Sequence, residues 1–288
     1  MQYDYFEAFN RNLGFLSLDE QTCLKNARVA IAGLGGTGGA QVHALSRMGI
    51  GKFNLADPDT FELANFNRQS GATVPNLGRL KTDVARETVL AINPEAEITV
   101  FEKGIAVGNI DTFLQGVDIV VDSLDFYCFD ERFLLYGKAR EKGLWVLTAP
   151  PLGFGFTLLM FDPNGMTFED YFGFYVGMTE RDQVVALVAG IAPKPFMLRY
   201  LDRKRPDVAG RRLPSVGAAP FMIAGVIATE VTRLLTGKGQ GQAQAMAAPT
   251  VYQFDALLYQ FRRRTYWWGM RGPVQRLKRL ILNRILPR

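Results

Sequence analysis

Cysteine and histidine are almost missing from this chain of 288 residues, which holds two cysteines, Cys23 and Cys128, and one histidine, His43. Two cysteines exclude a disulfide framework and a four-cysteine zinc site, and they fit a reducing, cytoplasmic interior. The lone histidine has no evident partner and reads as a packed core residue rather than a catalyst. No run reaches the roughly 18 apolar residues of a spanning helix. The N-terminus, Met-Gln-Tyr-Asp-Tyr-Phe-Glu, lacks the basic and apolar regions of a signal peptide. No internal repeat is visible. The body of the chain also lacks a charge excess, because the net +5 gathers in 199–212 and from Arg262 onward. A chain 48% hydrophobic and 21% charged is globular and long enough for one large α/β domain or two small ones.

What the chain does have is glycine where a ligand would need it. Arg28–Ala32 is a short apolar run with the look of a buried parallel strand. Gly33, Gly35, Gly36 and Gly38 follow at once, and Thr37–Met48 reads as a helix. Strand, glycine turn and helix together aim backbone N–H groups and a positive helix end at phosphate. Glycine removes the Cβ that would hold an anion off the backbone. This motif alone fits a dinucleotide or ATP about equally.

Further strands are expected at Lys52–Ala56, Glu97–Phe101, Val117–Val121 and Leu144–Thr148, with helices at Leu80–Ile92 and Asp130–Lys142 between them. The alternation predicts a doubly wound, Rossmann-like and mostly parallel sheet. After Pro150-Pro151 the pattern changes. Phe154–Phe161 reads as an antiparallel strand, and Val251–Phe254 with Tyr259–Thr265 as a closing hairpin, so antiparallel strands extend the sheet in the C-terminal half. The expected organisation is a helical lead-in over 1–27 with a cap at Ser17, a nucleotide-binding domain over 28–265, and a tail over 266–288. Within the domain, 162–215 is an insertion with one helix at Glu180–Ala189, Ala218–Leu235 is a buried small-residue helix, and 238–248 is a loop.

Ligands of open α/β sheets sit beyond the carboxyl ends of the strands. Asp57, Asn65, Arg68, Lys81 and Asp125 all follow strands or open the next helix. Singly each has a plain reading: Asp57 a turn, Arg68 and Lys81 surface charges, Asp125 a helix cap. Jointly, two cations and a second acid exceed what a dehydrogenase needs and suit phosphoryl or nucleotidyl transfer.

Gly33-Leu-Gly-Gly-Thr-Gly38, Asp57-Pro-Asp59, Asn65-x-x-Arg68-Gln69, Gly78-Arg-Leu-Lys81, Asn93-Pro94 and Asp122-Ser-Leu-Asp125 stand in one order. In that order and spacing the chain resembles the ubiquitin-activating-enzyme-like adenylyltransferases of the ThiF/MoeB/HesA family. Pro214–Pro220, Ala228–Val231, Leu234–Gly237 and Phe254–Ala256 carry the likeness on, over roughly residues 9 to 265. The resemblance implies ATP and Mg2+, with Gly33, Gly35, Gly36 and Gly38 near the phosphates and Asp57 on the ribose. It implies Asn65, Arg68 and Lys81 on the triphosphate, Gln69, Ser123 and Leu124 at the nucleotide, and Asp125 holding the metal. Arg11, in Phe-Asn-Arg-Asn, is similar to an arginine that reaches ATP from a neighbouring subunit, which implies a homodimer. The implied reaction is attack by a carboxylate on the α-phosphorus, giving an acyl-adenylate and pyrophosphate. The acceptor would be the C-terminus of a small ubiquitin-like sulfur carrier or a peptide.

The chain also departs from that family. Residues 161–215 hold no cysteine for a thioester, and both Cys-x-x-Cys pairs are absent, so zinc is not expected. Phe126 stands where asparagine is common. Cys128, at a helix start, is either a thiol of lowered pKa or a buried, inert one. Arg199, Arg203, Lys204, Arg205, Arg211 and Arg212 could attract an acidic carrier, a peptide carboxylate or RNA, or be a solvated loop. The aromatics Phe168, Tyr171, Phe172, Phe174 and Tyr175 read as an apolar groove or as plain packing. In the tail, Trp267-Trp268 precede a helix with Val274, Leu277, Leu280, Ile281 and Ile285 on one face and arginines around the rest. It reads either as peripheral contact with an anionic membrane or as a helix docked on protein. The rival functions are an NAD(P)-dependent oxidoreductase, a tRNA-modifying dehydratase built on the same adenylate, and an inactive binding partner.

Overall fold

The computed structural model describes residues 2–202, 204, 205, 207, 210, 213–238 and 246–285. The lead-in forms α1 (Tyr5–Ala8) and α2 (Leu18–Asn26). Ser17 caps α2 in a reciprocal pair with Glu20, as its sequence signature predicts. β1 (Arg28–Ala32), α3 (Gly36–Met48), β2 (Lys52–Ala56), α4 (Lys81–Ile92) and β3 (Glu97–Phe101) follow. Then come α5 (Ile110–Phe113), β4 (Ile119–Asp122), α6 (Phe129–Glu141), β5 (Trp145–Thr148), β6 (Pro151–Leu152) and β7 (Gly155–Phe161). The remainder is α7 (Phe168–Phe172), α8 (Glu180–Ile191), α9 (Ala218–Thr236), β8 (Thr250–Asp255), β9 (Gln260–Thr265) and α10 (Pro273–Ile285).

One mixed sheet runs in the order β3-β2-β1-β4-β5-β7-β8-β9, with β6 paired to β7 off that path. The first five strands are parallel and β7 joins β5 antiparallel. Alternate residues feed opposite faces: Val29 and Ile31 pack with α3, α4 and α9, while Ala30 and Ala32 pack with α5, α6, α7 and α8. Helices on both faces make the sheet doubly wound. Register does the positioning that matters for a site. Ala32 pairs with Ala56 and with Asp122, so the next residues, Gly33, Asp57 and Ser123, emerge side by side. Strand order reverses between β1 and β4, the crevice where such sheets bind ligands.

Four expectations are changed or decided. The 162–215 insertion holds a second helix, α7, and a 3-10 turn at Phe196–Arg199. Its aromatics Phe168, Tyr171, Phe172 and Phe174 are buried in the core, leaving Tyr175 exposed, so they are packing rather than a groove. His43 is not a core residue: it is exposed, and its Nε2 accepts from Arg47 Nε at 2.9 Å. Finally, α9 is long and apolar enough to cross a membrane by composition. Half of it is buried, with Ala219, Ile223, Ile227 and Val231 in the core beside α3, so it is a core helix of the sheet. Of the insertion's basic residues, Arg203, Arg211 and Arg212 lie outside the described residues, as do 239–245 of the expected loop. Arg199, Lys204 and Arg205 are exposed.

Candidate active site

The glycine turn has two kinds of glycine. Gly33 has φ +90°, and a Cβ there would lie 2.2 Å from the Ser123 carbonyl oxygen. A Cβ on Gly38 would lie 1.9 Å from the Gly33 carbonyl oxygen. These two are glycine because the turn folds onto itself and onto the end of β4. Gly36 differs: a Cβ would meet only ordinary contacts, 3.5 Å from Pro220 Cγ and 3.6 Å from Arg68 Cγ. Packing does not demand its bareness, which keeps the backbone at the start of α3 open. No side chain caps that end, since the N-cap is Gly35.

The long connection from β2 to α4 closes around this turn. From β2, Asp57 Oδ2 accepts from the Leu34 N–H at 2.6 Å and Oδ1 from the Asp59 N–H at 2.9 Å. Lys81 opens α4 with its side chain buried, its Nζ 2.7 Å from Asp59 Oδ2 and 3.7 Å from Asp57 Oδ1. Burial pushes the Asp57 carboxyl above its ordinary pKa, while Lys81 and the two N–H groups pull it back. From the long loop, Arg68 lies beside Gly36, and the Gln69 amide lies 3.7 Å from a Cβ built on Gly35. The buried Gln69 Oε1 has no hydrogen-bond partner, nor has Thr82 Oγ1 beside Lys81. Buried polar atoms without partners cost free energy, and Gln69, which carries one, stands beside the bare turn, so a polar ligand there would find a free acceptor.

The structure thus brings together Gly33, Gly35, Gly36, Gly38, Asp57, Arg68, Gln69, Lys81 and Ser123. Other expected residues are partly engaged elsewhere. Asn65 Oδ1 accepts from the Glu62 N–H and braces its own loop. Arg68 Nη1 donates to Ala64 O at 2.8 Å and to Asn67 Oδ1 at 3.0 Å. Ser123 Oγ donates to Gln41 Oε1, and the Leu124 N–H donates to Asp122 Oδ1. Asp125 follows two residues later and is exposed. Arg11 is not brought to the site in its own chain. It sits where Asn12 contacts Met48, at the far end of α3, roughly 20 Å from Gly36 by helix rise. A depression of about 520 Å³ lined by Asp111, Gln115, Gly116 and Val117 lies at the opposite, amino end of β4.

This arrangement of strand order, glycine turn and flanking loops has known counterparts. The family model described as ThiF family matches residues 9–266. The chain belongs to the ThiF family. A tRNA threonylcarbamoyladenosine dehydratase of Haemophilus influenzae is 38% identical over 124 residues, covering 43% of this chain and 48% of that protein. The probable adenylyltransferase/sulfurtransferase MoeZ of Mycobacterium tuberculosis is 28% identical over 225 residues, 78% of this chain and 52% of that one. The chain spans about half the length of the curated relatives it matches. Among solved structures, E. coli MccB with ATP superposes with a TM-score of 0.62 at 20% identity, covering 88% of this chain and 67% of that one. PaaA gives a TM-score of 0.68 at 17% identity over 92% and 74%. Both share the fold.

Two further features of this ThiF-family site are absent from the sequence reading. Arg132, on α6, is buried, and its Nε donates to the buried Asp122 Oδ2 at 2.9 Å. Its Nη2 donates to the carbonyls of Leu124 and Asp125 at 2.9 and 3.1 Å. Tyr136 donates to the same Asp122 oxygen at 3.1 Å. This pair therefore fixes the backbone that carries Asp125, whereas in sequence an arginine within a helix reads as surface. Asp59, quoted only as part of a turn, is the partner that holds Lys81. Cys128 corrects the thought of an activated thiol. Burial, then Glu131 and Asp125, push its pKa up to about 11. Cys23 is raised too and donates to Leu235 O. Among the described residues no group of three His, Cys, Asp or Glu could hold a metal.

Proposed function

We propose that the chain is an ATP-dependent adenylyltransferase that activates a carboxylate as an acyl-adenylate. The observation that carries this is the buried Lys81, tied through Asp57 to the Leu34 N–H of the glycine turn. A dehydrogenase would leave that ammonium and Arg68 without a role. ATP is the substrate the donor set fits. The bare start of α3 and the orphaned Gln69 Oε1 suit phosphate oxygens and ligand donors respectively. Asp57 keeps lone pairs for a ribose hydroxyl, since only two N–H groups use its oxygens. A single exposed carboxylate, Asp125, suits Mg2+, which binds through one or two carboxylates plus substrate phosphates and water.

In the reaction the acceptor carboxylate attacks the α-phosphorus and pyrophosphate leaves. The acceptor is already an anion, so no protein nucleophile is required; Cys128, a thiol at neutral pH, is not asked to supply one. Lys81 leaves Asp59 for the polyphosphate, and Arg68 turns from Ala64 toward it. These cations offset the charge that grows on the leaving group. Arg11 contributes only across a homodimer. The acceptor is the C-terminus of a small carrier protein or a peptide.

Thermal shift of the full chain with MgATP against NADH tests the nucleotide, and pyrophosphate exchange with candidate carboxylates tests the step. Stabilisation by NADH alone removes the proposal, and ATP binding without exchange favours an inactive partner. A second reading has its own support: the 38% identity, over 124 residues, to a tRNA threonylcarbamoyladenosine dehydratase. There the same adenylate would activate a carboxyl group on tRNA. A gel shift with tRNA, lost on charge reversal at 203–205, would select it.

A further inference from the structure

The C-terminal helix is mounted back to front. Amphipathic helices of globular proteins normally turn the apolar stripe inward. α10 instead docks through a largely polar side, on which Leu282 packs against the core. Lys278 Nζ donates to Pro193 O at 2.8 Å, and Arg181 donates to Asn283 Oδ1 at 2.9 Å and to Asn283 O at 2.7 Å. Gln275 is buried on the same side. Outward, Val274, Leu277, Leu280 and Ile281 are 48–63% exposed, in i, i+3, i+6, i+7 spacing, and just before them Trp267 and Trp268 are 76% and 72% exposed. The polar anchors hold the helix in place, so the stripe is displayed rather than loose.

The surroundings are basic. Arg262 and Arg264 of the edge strand β9 bear on Lys278, and Arg271 and Arg276 bear on Arg279. Carboxylates near the helix include Asp182, near Arg279, and Asp170, which Arg271 holds at 3.1 Å. We infer that this face is a docking surface for an anionic lipid bilayer, with α10 lying flat in the interface and the two tryptophans at headgroup depth. Interfacial helices combine an apolar face, tryptophan and flanking arginine in this way. α10, at 13 residues, is about 20 Å long and too short for the roughly 30 Å hydrocarbon core, so it lies on the membrane rather than across it. A second copy of this chain is the poorer occupant, because two-fold contact would press the same arginines together. The inference does not depend on the reaction proposed above.

The full chain is sedimented with vesicles of phosphatidylcholine alone or mixed with phosphatidylglycerol, and its tryptophan emission is recorded. Binding to the mixed vesicles only, weakened by salt and accompanied by a blue shift, is expected. Arg276→Glu with Arg284→Glu should weaken it by about 30-fold or more, at about 1 kcal/mol per basic residue removed. Leu277→Glu with Ile281→Glu should abolish it, with circular dichroism confirming an unchanged fold. No binding to mixed vesicles, or binding indifferent to the Leu277→Glu/Ile281→Glu change, overturns the inference. So does a wild-type dimer that this variant splits, since the stripe would then be a self-association face.

Discussion

Cys128 remains a thiol under physiological conditions because burial and two neighbouring carboxylates disfavour the thiolate. With a pKa of about 11, roughly one molecule in a thousand is ionised at pH 8, so iodoacetamide labelling should be slow and climb about tenfold per pH unit. Rapid labelling at pH 7 would contradict that environment. Asp57 makes the opposite kind of test. Its folded pKa lies above its unfolded value, so the native chain holds a proton that the unfolded chain has released. Below the unfolded pKa, near 3.8, the group is neutral in both states and contributes nothing. As pH rises through the raised folded value, stability should fall, then level off. Urea unfolding at stepped pH should show this slope, and Asp57→Asn should flatten it; an unchanged slope would place the titration elsewhere. Arg132 was illegible in sequence for a physical reason. Its partners, Asp122 and two carbonyls, lie 10 residues or fewer away but belong to a different element. Replacing it by methionine leaves the Asp122 charge buried without its cation, and should cost about 3–5 kcal/mol in urea unfolding.

At the scale of elements, β1, β2 and β3 carry the same bounds in sequence and structure because turn formers, Gly33, Gly51, Asp57-Pro58, Pro94 and Gly104, stand near their ends. β6, two residues long, and the single turns α5 and α7 gave no comparable pattern. The α10 stripe was legible, but its direction was not: periodicity shows that a helix has two faces, while the polar anchors that choose between them come from α8 and the 193–194 segment. The glycine turn offers a prediction at this scale. Gly33→Ala meets the Ser123 carbonyl at positive φ and should lose about 1–3 kcal/mol from backbone strain alone. Gly36→Ala sits in a helix with room for a methyl and should keep or slightly raise the melting temperature. The same methyl would stand between the backbone and a phosphate. A Gly36→Ala chain that melts normally and still binds MgATP fully would remove the phosphate role from that residue.

For the molecule as a whole, strand register sets the chemistry. Because β1, β2 and β4 end level, loops separated by some ninety residues of sequence meet at one turn, and only their joint spacing made them readable. The acceptor's identity was not readable, since no residue pattern in 162–215 marks one acceptor chemistry. The central claim is that Lys81 and Arg68 serve the triphosphate of a nucleotide held at the glycine turn. Calorimetric titration of MgATP into the wild-type chain and into Lys81→Ala and Arg68→Ala tests it most directly. Each variant should stay folded and bind roughly 10–100-fold more weakly, the loss of a charged hydrogen bond, while NADH gives no heat. Wild-type affinity in both variants, or tight binding of NADH in place of MgATP, would contradict it.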